Sequence, residues 1–274
     1  MILTICSVFT RIFSNSFLNV FQKILTNEGE ANSVINFYTY FGLTIFSLLL
    51  CPNFVYSKEL FSNFFIMGIF GCLGNYYIIK SLSCGEMSSI APINSYKPII
   101  ALIVGIFLLH EFPSLKDLMG IFLIILGTIY LSKSNLFFSK AFLYRFFALC
   151  FSATEAIFIK KIILLTDVKT SFFYWALAGL LFAFSLVLFS KHNFKIEKAV
   201  IKYQVYLILM VAIMQYSTNY LFSKMNVSSA LALFQLSTIL SVFLGAKFFK
   251  EKGFIKKLIG SVIMVLGAVI IILG

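Results

Sequence analysis

Two opposite charges sit deep inside apolar stretches of this chain. Lys97 lies near the middle of the apolar run 87–109, and Glu155 is similarly central in the run 141–163. In a helix rising 1.5 Å per residue, Lys97 is buried roughly 15 Å from either end, beyond the reach of its own side chain. A central charge facing lipid costs about 3 kcal/mol on insertion scales, so each group needs a cavity or a partner. One outcome is an ion pair that locks two segments together; the other is a solute or proton site that opens and closes. Pro98 follows Lys97 directly and removes a backbone donor, freeing a carbonyl at the same depth, which favours the site. Amides and phenols recur at similar depths: Asn15 and Asn19 one turn apart, then Asn75, Tyr76 and Asn94, then Gln215, Tyr216, Asn219 and Tyr220, then Gln235. In lipid such groups act as glue between helices or line a polar space. As a set drawn from both ends of the chain they read as lining. The candidate binding residues are Lys97, Asn94, Asn19, Asn75, Tyr76, Glu155, Tyr216, Asn219, Tyr220 and Gln235.

The elements that must carry these residues are written twice. Ser88/Ser228, Ser89/Ser229, Gly105/Gly245, Glu111/Glu251, Lys116/Lys256, Gly120/Gly260 and Gly127/Gly267 all share an offset of 140 residues. Upstream, Asn75-Tyr76 with Lys80 recurs as Asn219-Tyr220 with Lys224, and Phe13-Ser14 with Lys23 as Phe151-Ser152 with Lys161. Chance would supply one such agreement but not a set in register. The chain divides into repeats at 1–136 and 137–274. Continuous apolar runs predict ten helical spans, at 2–25, 32–51, 60–82, 87–109, 116–132, 141–163, 170–190, 203–225, 228–249 and 255–273. Arg11 interrupts the first run and no small-residue cleavage site follows, so this segment reads as a retained span rather than a signal peptide. Five spans per repeat is an odd number, so the two repeats sit in the bilayer with opposite orientation. The expected fold is all-α and integral to the membrane, with ten helices as two inverted five-helix repeats around a central cavity. Inverted repeats place a ligand near the midplane and let the halves alternate access.

Composition excludes other classes. Apolar residues make up 61% of the 274 and charged residues 12%, far from the soluble norm of about half and a quarter. A net charge of +12 would suit nucleic acid, but the lysines cluster at segment ends, as at Lys191, Lys195, Lys198 and Lys202, where they serve membrane anchoring and orientation. Lys23, Lys80, Lys161 and Lys224 fall in the last turns of their spans, within snorkelling reach of headgroups. Five scattered cysteines form no CxxC pair, and His110 and His192 lie at segment edges, so no metal, disulfide framework or other cofactor is expected. Glu111 and Glu251 read as span ends packed against loops. The glycine pairs read as close helix contacts.

In these residues the chain resembles the drug/metabolite transporter superfamily, in its ten-span EamA-type branch. The resemblance runs over the whole chain and is most specific from Tyr77 to Gly127, with Lys80-Ser81-Leu82, Pro98, Glu111, Gly120 and Gly127. The second half repeats Glu251, Gly260 and Gly267 but has Thr238 in place of the proline. The resemblance implies a cavity lined mainly by spans 1, 3, 4, 6, 8 and 9. It also implies cytoplasmic termini, whereas loop counts of Lys and Arg alone place them outside. The expected protein is a secondary transporter, in the export direction, of a small organic metabolite such as an amino acid or related solute. It would act as a monomer in a bacterial inner membrane, with protons as partners if Glu155 titrates, and without nucleic acid. A non-transporting scaffold or receptor is the alternative. An enzyme would need a convergent catalytic set, which two edge histidines and acids mostly in loops do not provide.

Overall fold

A computed structural model describes residues 2–109, 115–131, 139–250 and 253–272. Among them there is no strand. The first repeat holds α1 (Ile2–Asn27), α2 (Asn32–Leu48), α3 (Lys58–Cys84), the short α4 (Met87–Ile90), a 3₁₀ stretch (Ala91–Tyr96), α5 (Lys97–Leu109) and α6 (Leu115–Leu131). The second holds α7 (Lys140–Leu165), α8 (Val168–Ser190), α9 (Ile201–Lys224), α10 (Val227–Phe234), α11 (Leu236–Phe249) and α12 (Phe254–Ile272). The starts of α3, α7 and α8 carry side-chain caps that satisfy otherwise orphaned N–H groups. Ser57 accepts from the Leu60 amide at 3.1 Å, and Ser139 from the Phe142 amide at 3.1 Å. The expected spans 4 and 9 are not continuous. The first breaks at Ala91–Tyr96 and the second at Gln235, and Gln235 is the offset-140 counterpart of Ser95 inside the first break. Pro98 therefore falls in the first turn of α5, where its missing N–H costs nothing. The irregularity lies just upstream of the proline.

Among the described residues, three helices are long and apolar enough by themselves to cross a bilayer: α3, α8, and Lys198–Lys224, which includes α9. α1 and α7 are as long, at 26 residues each, but carry polar and charged residues in their interiors. α4–α5 and α10–α11 are divided by their breaks. Large apolar side chains such as Phe9, Phe61, Phe122, Phe184 and Phe189 stand exposed around the outside, as a lipid-facing surface requires.

Helices pack mainly across the repeats, in a pattern that maps onto itself when the repeats are exchanged. α1 lies on α9 as α7 lies on α3; α2 faces α8, and α6 faces α12. The connections follow the same rule. Beyond α1, Glu30 accepts from the Glu197 amide at 2.9 Å, and Ser33 bonds His192 at 2.8 Å, tying the α1–α2 connection to 191–200. Beyond α2, the Asn53 amide donates to Thr170 at 2.9 Å and its side chain to Asp167 at 3.2 Å, tying the α2–α3 connection to the start of α8.

Within each repeat a lysine ties two helix ends together. Lys23 Nζ donates to the carbonyls of Leu82 at 2.5 Å and Gly85 at 2.9 Å, closing the end of α3. Lys160 Nζ donates to the carbonyls of Phe222 and, at 3.4 Å, Met225, closing the end of α9. The two carbonyl pairs are offset by 140. The lysine equivalent to Lys23 is thus Lys160, not Lys161, which lies over the Phe158 ring at 5.4 Å. Carbonyls left open at a helix end thus give Lys23 acceptors within the protein. Lys80 rests on Tyr144 at 4.6 Å and Lys224 on Tyr220 at 5.8 Å. The expected roles of Glu111 and Glu251 lie outside the described residues.

Candidate functional site

Where the two breaks face α1 and α7, the helices enclose a cavity of about 120 Å³, space for several waters at roughly 10–15 Å³ each. Its wall mixes polar and charged groups with apolar side chains and draws on both repeats. α1 contributes Arg11, Asn15 and Asn19; α3 contributes Gly71 and Asn75; the first break contributes Asn94, and the start of α5 Lys97. From the second repeat come Arg145, Ser152 and Glu155 of α7, Trp175 of α8, Gln215 and Thr218 of α9, and Phe234, Gln235 and Ser237 at the second break.

Neutral contacts aim most of these groups. Arg11 donates from Nε to Thr218 at 3.2 Å, and its guanidinium lies 4.2 Å over the Phe234 ring. Arg145 donates from Nε to Asn94 at 2.8 Å. Glu155 accepts from the Trp175 indole, and Tyr40 packs on that indole with ring centroids 5.1 Å apart. Gly71 makes room for this acid, since a Cβ there would collide with the Glu155 carboxylate. The second break is fastened to α1: Asn15 donates to Ser237 Oγ at 3.0 Å, and Ser16 to the Ser237 carbonyl at 3.0 Å. Across the break the Gln235 amide donates to the Leu231 carbonyl at 2.7 Å, so backbone groups freed there find partners. Lys97 and Glu155 face the same cavity, and among the described residues they form no ion pair. No cluster of three or more His, Cys, Asp or Glu that could hold a metal occurs among the described residues.

The profile of the EamA-like transporter family matches residues 2–133 and matches again at 139–273. The chain belongs to the EamA-like transporter family. One solved crystal structure aligns with a TM-score of 0.73 at 12% identity, over 98% of this chain and 97% of the other; at that identity the likeness establishes the fold alone. No curated protein matches. As an EamA-like chain with apolar helices, the protein is placed among integral membrane transporters of small solutes.

Six of the ten residues singled out in the sequence line the cavity of this EamA-like chain: Asn19, Asn75, Asn94, Lys97, Glu155 and Gln235. Four do not. Tyr76 sits beneath Lys80 at 5.6 Å, and its repeat counterpart Tyr220 beneath Lys224. Tyr216 meets the edge of Phe172 at 6.2 Å. Asn219 is fully buried between Gln215 and Ser171. Asn75 also works as glue, receiving a bond from Gln22 at 3.3 Å and donating to Asn36 of α2. The sequence reading did not assign Arg11, Arg145 or Trp175 to the site. The first two had a signal, a guanidinium inside an apolar run. Trp175 had none beyond being the single tryptophan of the chain.

Proposed function

We propose that this protein is a secondary transporter that moves a small organic metabolite, of the class of amino acids and related solutes, outward across a bacterial inner membrane. It works as a monomer of ten spans in two inverted repeats. The observation that carries the reading is the charged cavity between the repeats, with a broken span from each repeat beside it. Broken helices at a repeat interface bring backbone polar groups to a solute at mid-depth. Inversion has its own support. α2 carries its two connections to opposite ends of the bundle. Its α1–α2 connection meets 191–200 and its α2–α3 connection meets the start of α8. The α7–α8 connection, counterpart of α1–α2, is therefore at the opposite end from it.

In the cycle, the cavity opens to one side and then the other as the cross-repeat contacts exchange. Lys97 meets the solute from the cavity wall. Glu155, fixed by Trp175, is the proton-coupling group. The test is solute profiling in proteoliposomes with wild type, Lys97→Ala, Glu155→Gln and empty vesicles, with folded protein quantified in each. Expected are a solute class moved by wild type alone and loss of its movement in Lys97→Ala. In Glu155→Gln, solute exchange should persist while response to a pH gradient disappears. Equal movement by wild type and Lys97→Ala would remove Lys97 from the path. No movement above empty vesicles would favour the scaffold reading.

A further inference from the structure

The cavity carries more positive charge than the chain itself neutralises. Among the described residues, Arg11, Lys97 and Arg145 line it with a single acid, Glu155, leaving a formal excess of two positive charges. Arg11 and Arg145 are buried, at 8% and 3% exposure. Each is positioned through Nε by a neutral acceptor, Thr218 for one and Asn94 for the other. Each keeps a buried Nη1 with no hydrogen-bond partner. The orphaned donors come from different repeats, one on α1 and one on α7. Buried guanidinium donors are normally matched by an acceptor, and a buried cation by a counter-ion. Here the chain supplies the contacts that orient both forks and omits the anions that would fill them.

Resting on the transporter reading but narrowing its solute from amino acids and related metabolites to a doubly negative one, we infer that the cavity takes a small organic dianion, with Arg11 and Arg145 each donating from Nη1 to its acidic oxygens and Lys97 adding a third positive charge. A dicarboxylate and a phosphate monoester share this chemistry, since a phosphate ester carries nearly two negative charges at neutral pH. The fixed forks suit a pair of acidic oxygens on either group, the two of a carboxylate or two of the three on a phosphate. Glu155, on the same wall, disfavours solutes with more negative charge than the cations can hold.

Trp175 lines the cavity and is the single tryptophan, so its emission reads occupancy directly. The full chain in detergent is titrated at constant ionic strength with succinate, glycerol 3-phosphate, glycine, putrescine and glycerol. Succinate or glycerol 3-phosphate should give a saturable change, and the stronger of the two names the source of the anion. Arg11→Gln and Arg145→Gln should each weaken that binding roughly ten- to hundredfold. Arg11→Lys and Arg145→Lys keep the charge but lose the fork, and should fall between wild type and the glutamine variants. These two also serve if a glutamine variant does not fold. The inference is overturned if putrescine, glycine or glycerol binds as tightly as the dianions, if the arginine variants bind dianions like wild type, or if neither dianion changes the emission. Uptake by proteoliposomes separates this from the transporter reading. Dianion binding without uptake leaves the site standing and removes transport; uptake of a neutral or cationic solute without dianion binding does the reverse.

Discussion

Gly71→Ala tests whether the geometry around Glu155 is built as described. A Cβ at position 71 would collide with the Glu155 carboxylate, with Trp175 Nε1 behind it at 3.6 Å. α3 cannot retreat, because it packs along α7 itself, so the carboxylate must leave the indole. That abandons a charge-assisted bond and strands a buried N–H, a loss of about 1.5–3 kcal/mol. Against it stands the gain of roughly 1 kcal/mol from replacing glycine by alanine in a helix. Gly74→Ala, one turn along the same helix, receives the same gain while its Cβ would meet Ser152 at an ordinary 3.4 Å. The two variants should therefore differ by about 1.5–3 kcal/mol, with Gly71→Ala the less stable. Thermal unfolding in detergent measures the gap. Emission of Trp175 measures its cause: light moves indole electron density from the pyrrole ring to the benzene ring, so a carboxylate at Nε1 stabilises the excited state. Losing that carboxylate shifts emission to the blue in Gly71→Ala and not in Gly74→Ala. Equal melting points and equal spectra would refute the argument.

Other expectations follow from the ties at helix ends. Lys160→Met keeps the aliphatic stem but releases the Phe222 and Met225 carbonyls, and should cost about 1.5–3 kcal/mol. Lys23→Met should do the same at α3, whereas Lys161→Met should stay within about 0.5 kcal/mol of wild type. Melting curves that rank Lys161→Met with Lys160→Met would contradict the assigned register. At the start of α8, partial burial works to raise the Asp167 carboxyl, but bonds from Thr170, Asn53 and Lys169 outweigh it and hold the carboxyl below its usual range. A depressed folded value means this stabilisation is present above the unfolded value of about 3.9 and is lost as pH falls through the folded one. Asp167→Ala should cost about 1 kcal/mol at neutral pH, and its gap to wild type should close in acid, below about pH 4. A gap unchanged between pH 7 and pH 3 would count against the cap.

The helices were legible where the chain runs apolar over about twenty residues, and Lys97 and Glu155 because a central charge in such a run needs an explanation. The breaks were harder to read. Pro98 marked the first only approximately, and nothing at Gln235 resembles a helix breaker; that break is held by bonds to residues more than 200 positions away, such as Ser16 to Ser237. Arg145 was overlooked because hydropathy finds the middle of a span and put this residue near an end. Tyr76, Tyr216 and Tyr220 show the limit of spacing arguments, since a four-residue step aligns side chains on one face without saying which neighbour that face meets. Identical letters align Lys23 with Lys161, while the carbonyls that need a donor make Lys160 its equivalent.

The partners of α1 are made late. Arg11 is held by Thr218, 207 residues further along, and Asn15 by Ser237, 222 residues further along. At a synthesis rate of roughly 5–20 residues per second, the first span waits about 10–40 seconds before its guanidinium finds those contacts. On the proposed ten-span reading, a cation and several amides stand in the bilayer during that interval without their native partners. The first span therefore has to be sheltered as it is inserted, by the insertion machinery or by water drawn in around it. A chain interrupted after its first repeat leaves Arg11 and Asn15 open to lipid, a mark by which membrane quality control can tell a half-made transporter from a finished one.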